Sequence, residues 1–229
     1  MGWTTGAEDE YSQEYVDFAS KKPGWNLDIG AAYGFTSKEA ILRGAKVIIN
    51  DLHALHFNYF KNNLPEVFAS NVQYQQGNFL DLSYPKESME SVFASRVLHF
   101  LNGAELSRAA KLIYKWLKPG GKIFIIVGTP YRASAGKFLK EYERRKKLGY
   151  PFPGEVNIGI DFEKDVETKN LPNFIHYLDI DVISKIFMGE GFVLEKAGYI
   201  DRPSNAAENI FPDKKESCGL IFIKKKNTS

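Results

Sequence analysis

Asn26-Leu27-Asp28-Ile29-Gly30-Ala31-Ala32-Tyr33-Gly34-Phe35 decides the fold of this 229-residue chain. An apolar run ends in an acid, passes through a turn of small residues and enters a helix-like segment. Glycine and alanine let the backbone turn tightly and let a ligand approach it closely. The stretch therefore invites a nucleotide reading. A dinucleotide fingerprint needs Gly-x-Gly-x-x-Gly. Counted from Gly30, Ala32 is tolerable at the second place. Phe35 is not tolerable at the third, where glycine allows the helix to pack close on the strand. Gly34 instead completes Gly-x-(Gly/Ala)-x-Gly. Asp28 points the same way, because a carboxylate there repels a pyrophosphate and suits a cationic ligand.

Working outward, apolar runs alternate with helical patterns. Strands are expected at 25–29, 46–50, 72–74, 91–95 and 123–127. Helices are expected at 11–21, 36–43, 53–63 and 104–117, the last with Leu106, Ala109, Ala110, Ile113 and Leu117 on one face. Pro119-Gly120-Gly121 should stop that helix. Continuous apolar strands alternating with helices imply a doubly wound parallel sheet with helices on both faces. Residues 131–177 break the rhythm with Pro151, Pro153, Gly154, Gly159 and Pro172, and read as an insertion over the ligand edge. Asp179 should cap a helix to about Met188. Residues 192–200 and 219–223 read as two closing strands, hairpin-like.

Three further segments fall at expected strand ends, where ligands of such sheets bind. Asp51 follows the second strand, where an acid can accept hydrogen bonds from both ribose hydroxyls or can cap the next helix. Leu52 comes with it. Gly77-Asn78-Phe79-Leu80-Asp81-Leu82 follows the third strand. Its Asn78 can accept from an adenine amino group, or can bond its own backbone in a turn. Phe93-Ala94-Ser95-Arg96-Val97-Leu98-His99-Phe100 leaves the fourth.

Together with Lys118-Pro119-Gly120-Gly121-Lys122, these segments resemble, in order and interval, the motifs of class I S-adenosylmethionine-dependent methyltransferases. The resemblance spans about residues 26–128. It implies a Rossmann-like sheet of seven strands whose last strand is antiparallel, and S-adenosylmethionine as cofactor, leaving as S-adenosylhomocysteine. It implies that Asp28, Gly30, Ala31, Ala32, Gly34, Asp51, Leu52, Asn78, Phe79, Ser95 and Arg96 form the cofactor site. The reaction implied is methyl transfer to a small molecule, with the acceptor atom open among oxygen, nitrogen and carbon. Ser95-Arg96-Val97-Leu98 stands where amino-directed nucleic-acid or glutamine methyltransferases carry Asn/Asp-Pro-Pro-Tyr. A protein or nucleic-acid methyltransferase and a non-catalytic protein that kept the fold stand as alternatives. Phe35 and Asp28 speak against a nicotinamide oxidoreductase.

On the acceptor side, His99 and His176 are the candidate catalytic groups, since a base with pKa near 7 helps a weakly acidic hydroxyl. Tyr11, Tyr15, Tyr131 and His176 are candidate substrate contacts. The whole chain, 1–229, is read as one domain. Within it, residues 1–22 form an N-terminal lid segment and residues 131–177 cover the active site, neither with enough apolar periodicity for a core of its own. His53 and His56 are spaced i,i+3, a spacing metals use, but no further ligand lies near, and no metal is expected. The run Glu141 to Lys147 reads as a solvated helix face with pairs such as Glu141–Arg145 and Glu143–Lys147, against a docking patch for an anionic partner. Lys224 to Lys226 read as a solubilising edge.

Bulk properties agree. Hydrophobic content is 44% and charged content 25%, ordinary for a globular protein. Thirty Lys and Arg against 28 Asp and Glu leave a net charge of +2, with no general drive toward nucleic acid. One cysteine, Cys218, cannot form an internal disulfide, which favours the cytoplasm. No apolar run reaches the length of a membrane span. Monomer and homodimer both stay open.

Overall fold

The computed structural model describes residues 9–132, 135–157, 173–200 and 215–226. Residues 1–8 of the expected lid, and Gly159 and Pro172 of the expected insertion, lie outside these.

The chain runs α1 (Glu10–Ala19), β1 (Trp25–Ile29), α2 (Phe35–Leu42), β2 (Lys46–Asp51), α3 (Ala54–Asn63), β3 (Val72–Gln76), β4 (Met89–Ser95), α4 (Gly103–Trp116), β5 (Leu117–Gly128), α5 (Gly136–Lys147), β6 (Glu155–Asn157), β7 (Phe174–His176), α6 (Ile180–Gly189), β8 (Phe192–Ile200) and β9 (Ser217–Lys224). Seven strands form one sheet in the order β3-β2-β1-β4-β5-β9-β8. The pairs among β1 to β5 are parallel. β9 lies antiparallel between β5 and β8, as the resemblance implied.

Alternation along the strands builds two cores. Leu27, Ile29, Val92, Ala94, Ile123, Ile125 and Val127 face the α4 and α6 layer. Val47, Ile49, Phe93, Phe124 and Ile126 face α1, α2 and α3. α4 starts at a capping box, Asn102 Oδ1 accepting the Glu105 N–H at 2.9 Å while Glu105 Oε2 accepts the Asn102 N–H at 2.9 Å. Asp179 caps α6 as expected, accepting the Val182 N–H at 2.9 Å.

Four expectations are corrected. The Pro119-Gly120-Gly121 turn lies inside β5, not before it. Leu117 pairs with Met89 and Lys122 with Ser91, so the extra residues bulge out of the ladder. α1 is core, not cover: Tyr11, Tyr15, Val16 and Ala19 are fully or almost fully buried against the sheet. Lys224 is buried, not a solubilising group. Its ammonium donates to Leu117 O at 2.9 Å and Tyr114 O at 3.0 Å, and pairs with Glu87 at 3.2 Å. Finally, the described residues of 131–177 do share a core. Ala135, Phe138 and Tyr142 of the α5 segment pack on Val156 of β6 and on Ile175 and Tyr177 of the β7 segment, and β6 pairs antiparallel with β7.

The charge run of α5 is used internally. Glu141 holds both Arg144 and Arg145 at 2.7 Å. Arg145 donates to Glu155 O at 2.6 Å. Lys146 bridges Asp179 and Asp181 of the α6 segment at 2.7 and 2.8 Å. The Lys146 bridges join the small unit to the α6 segment, and most of the basic run is engaged within the fold.

Candidate functional site

β1 leads into α2 on one face and β4 into α4 on the other. The strand order therefore reverses between these neighbours, which makes the crevice at their carboxyl ends the expected ligand site.

The turn after β1 is shaped by close approach. Gly30 and Gly34 have φ of 65° and 64°, and Ala32 is also left-handed at 47°. A Cβ on Gly30 would meet Val97 at 2.5 Å, and one on Gly34 would meet the Phe60 ring at 2.5 Å. Val97 thus brings the β4 loop against the first glycine. Gly34 is also the N-cap of α2.

Asn50 and Asp51 tie three strand ends together. Asp51 Oδ2 accepts the Ala32 N–H at 2.8 Å and Asp51 Oδ1 accepts the His53 N–H at 2.9 Å. Asn50 O accepts the Ala31 N–H at 2.9 Å, and Asp51 O accepts the Gly77 N–H at 3.0 Å. The Asn50 amide donates to Gln75 O and Gly77 O, both at 2.9 Å. Asn50 was not singled out from sequence; a polar residue ending an otherwise apolar strand was the available signal. Each Asp51 oxygen keeps a lone pair for a further donor. Leu52 beside it is exposed.

Asn78 Oδ1 accepts the Leu80 N–H at 3.1 Å, the local turn bond. One lone pair and the amide hydrogens stay open to a ligand. Phe79 behind it is buried.

Asp28 lies deeper than expected. It is 3% exposed and accepts from Ser37 Oγ at 2.7 Å. Burial pushes its carboxyl up to about 7, the Ser37 bond opposing this and the Asp51 charge adding to it. Tyr15 continues this chain, its hydroxyl 3.5 Å from Ser37 Oγ.

On the other half of the crevice, β4 ends at Ser95, and Arg96 takes a left-handed turn with φ of 55°. Its N–H donates to Ile126 O at 2.7 Å, tying the turn to β5. His99 follows, half-buried. Desolvation, together with the charges of Arg132 and Arg96, pushes its imidazole down to about 4. His176 is fully buried, with Nδ1 3.0 Å from Leu101 O, so Nδ1–H is the donor and Nε2 is left without a partner. Burial lowers its pKa too. Both rings are neutral near pH 7.

Tyr11 and Tyr15 do not face a crevice, which corrects their assignment to the substrate side. The Tyr15 ring stacks on Phe93 at 4.5 Å, and the Tyr11 ring lies 2.1 Å from the Cβ position of Gly219. The sheet needs aromatic volume there to seat α1. Tyr131 stands after β5, its hydroxyl donating to Glu143 at 3.2 Å and its ring set against Tyr142 and Tyr199.

His56 Nδ1 approaches Asp51 Oδ1 at 3.0 Å without hydrogen-bond alignment. No group of three or more metal-ligating side chains occurs among the described residues. No helix among them is long and apolar enough to cross a membrane.

Residues 27–125 match the family model of a methyltransferase domain. Over this stretch, a little under half of the chain, the protein is similar to a methyltransferase domain. An uncharacterized protein of Methanocaldococcus jannaschii is 31% identical over 134 residues, 54% of this chain and 46% of that one. An uncharacterized methyltransferase of Geobacillus kaustophilus is 24% identical over 72% of this chain and 67% of its own length. The match thus spans about half of the first relative and two thirds of the second. An S-adenosylmethionine-dependent methyltransferase structure from Methanosarcina mazei superposes with a TM-score of 0.66 at 17% identity, covering 93% of this chain and 97% of that one. That likeness is one of fold.

Proposed function

We propose that this methyltransferase transfers the methyl group of S-adenosylmethionine to a small-molecule acceptor. The observation that carries the reading is the strand-end hub of Asn50 and Asp51, which fixes the glycine turn and the Gly77-Asn78 loop around one crevice. In this reading Asp51 takes the ribose hydroxyls, Asn78 and Phe79 meet the adenine, and Gly30 to Gly34 let the backbone approach the methionine part. Leu52 covers the ribose edge. Ser95 and Arg96 border the methyl pocket.

The cofactor brings an activated methyl on a sulfonium, and the protein's part is to hold the two reactants in line and exclude water. A neutral, poorly basic His99 fits that division. It offers a hydrogen-bond partner beside the acceptor rather than a strong base. His176, with Nε2 open, is the second such group. An acceptor that is already nucleophilic, such as an amine, a thiol or an activated phenol or carbon, suits this site best. The small unit of α5, β6 and β7 follows β5 in the chain and is proposed to wall the acceptor side. A low net charge supports a small molecule over nucleic acid, and the absence of internal cysteine pairs supports a cytoplasmic setting.

Calorimetry with S-adenosylmethionine, S-adenosylhomocysteine, NAD and NADP tests the cofactor half. Binding of the first two alone is expected, and saturable NAD binding without them overturns the reading. Labelled methyl transfer into a cell extract then tests the small-molecule half. A labelled product retained with protein or nucleic acid sinks it, and cofactor binding without any labelled product leaves a non-catalytic protein.

A further inference from the structure

The small unit meets the connection between β4 and α4 around Leu101, Asn102 and Gly103. β4 empties into a single tight turn, Leu98–Phe100, which carries His99 and leads through Leu101 and Asn102 into α4. Two bonds close the turn from within, Phe100 N–H to Val97 O and Leu101 N–H to Leu98 O, both at 3.1 Å. An isolated turn is a poor structure on its own, because few bonds offset many fixed dihedrals.

Its exit is fixed from outside. The Leu101 carbonyl, just past the turn, accepts from His176 Nδ1 at 3.0 Å. The Gly103 N–H is one of the donors that a helix start leaves open, and it donates to Glu155 Oε1 at 2.6 Å. Asn102 between them accepts the Glu105 N–H instead. Phe152 closes over the same spot. A Cβ on Gly103 would lie 2.2 Å from its ring, so glycine there lets the ring down onto the helix start.

Glu155 and His176 stand directly opposite each other in the β6–β7 ladder. One cross-strand pair therefore holds a carbonyl and an amide two residues apart. The pair is itself anchored. Tyr177 N–H donates to Gly154 O at 2.9 Å, Arg145 of α5 to Glu155 O at 2.6 Å, and Leu178 N–H to Gly128 O, at the end of β5, at 3.3 Å. A bonded path thus runs from the end of β5 through the pair to the turn that carries His99. Leu101 and Gly103 are buried, and a buried carbonyl or amide without a partner is costly. The turn therefore follows the pair.

We propose that Glu155, with the Nδ1 end of His176 beside it, positions the His99 turn for methyl transfer. Glu155 acts through Gly103 and Leu101 on the placing of His99, which makes it a positioning residue. This rests on the methyltransferase reading, because that reading sets His99 beside the acceptor.

The test uses the full chain. The His99 imidazole is followed by NMR, assigned through His99→Gln, and hydrogen exchange is read at Phe100 and Leu101. Glu155→Ala removes the acceptor for Gly103. It should speed exchange at both amides about tenfold, the weight of one hydrogen bond, and shift the His99 resonance. Glu155→Gln keeps an oxygen for the Gly103 N–H and should recover both signals. His176→Phe keeps the ring volume and loses the donor to Leu101, so it should repeat the changes of Glu155→Ala. His176→Asn, whose amide nitrogen reaches the place of Nδ1, should reverse them. Labelled methyl transfer into a cell extract should fall about tenfold in Glu155→Ala and less in Glu155→Gln, with S-adenosylhomocysteine binding by calorimetry unchanged in both. Unchanged exchange and an unchanged His99 resonance in folded Glu155→Ala overturn the proposal. Transfer at the wild-type rate from a loosened turn also overturns it, since the grip then serves stability alone. Failure of the wild-type chain to bind S-adenosylhomocysteine removes the methyltransferase reading, while loosening in Glu155→Ala and recovery in Glu155→Gln still establish the grip on the turn.

Discussion

Asp51 Oδ2 accepts the backbone N–H of Ala32 at 2.8 Å. The bond links the end of β2 to the strained point of the glycine turn, where Ala32 sits at φ 47°. A non-glycine residue in that region costs about 1–3 kcal/mol and persists only when its surroundings hold it. The carboxylate therefore shapes the turn, and in the proposed reading it also takes the ribose hydroxyls. Asp51→Ala should lose both. Cofactor affinity should fall by at least about tenfold, since charge-assisted bonds contribute about 1.5–3 kcal/mol each. Hydrogen exchange at Ala32 should speed up even without ligand. Asp51→Asn keeps an acceptor and should restore slow exchange at Ala32 while still binding weakly. Equal affinity in the wild type and both variants would leave Asp51 as a turn anchor only.

Gly34 and Gly44 separate two reasons for glycine. Both have positive φ, 64° and 98°. A Cβ on Gly34 would strike the Phe60 ring at 2.5 Å, whereas one on Gly44 meets nothing within 4 Å. Gly44→Ala should cost the backbone part alone, about 1–2 kcal/mol. Gly34→Ala should cost more, with overpacking adding about 1–3 kcal/mol, and should also displace the turn. Urea unfolding of the two variants checks this. Equal losses would mean that Phe60 yields freely and that the close approach carries no constraint.

The ladder was legible because parallel strands buried on both faces read as apolar runs. β1 and β8 fall where the residues put them, β5 starts six residues earlier than expected, and the other expected strands and helices differ by one or two residues at most of their ends. Asp179 was legible because a cap before an apolar stripe has a local signature. The small unit was not. Phe138 and Tyr142 are diluted by Lys140, Glu141, Glu143, Arg144 and Arg145, and the matching β6 and β7 are three residues each. Strands that short carry no periodicity. Tyr11 and Tyr15 misled for a related reason, since an aromatic near a terminus looks like cover until the sheet face beneath it is known. Asn50 escaped notice because its meaning lies in neighbouring strand ends, which no local window contains.

Asp179 gathers more than a helix cap. It is 2% exposed, accepts the Val182 N–H at 2.9 Å and the Lys146 ammonium at 2.7 Å, and accepts from the Tyr142 hydroxyl. Burial alone would raise its pKa, but these partners outweigh it and hold the carboxyl below the usual range. Its contribution is present above the unfolded carboxylate pKa and is lost as pH falls through the folded value. Asp179→Ala should cost about 3–5 kcal/mol, the range for breaking a buried pair and stranding its partner. Because Tyr142 and Lys146 belong to α5, protease cleavage should appear first in 135–157. Global loss with no early cleavage there would mean that the small unit does not depend on this junction.

Asp28 gives the opposite pH dependence. Its carboxyl is pushed up from 3.8 to about 7 by burial. Between those values the folded chain holds a proton that the unfolded chain has released. By linkage, stability then falls as pH rises through that window. The contribution is fully present below the unfolded pKa and is gone above the folded one. Other carboxylates, Asp179 among them, slope the other way, so the wild-type profile alone hides this group. Asp28→Asn isolates it. The amide oxygen can still accept from Ser37 Oγ, and no charge develops at any pH. The stability of the variant relative to wild type should therefore increase steadily from pH 4 to pH 8. Urea unfolding of both proteins at pH 4, 5, 6, 7 and 8 reads the difference directly. A difference that is flat across the series would show that Asp28 ionises at an ordinary value inside the fold. The same series with S-adenosylhomocysteine present adds a second reading. If the cofactor's ammonium lies near enough to favour the carboxylate, the slope should shrink when ligand is bound, because the folded pKa then drops toward its unfolded value.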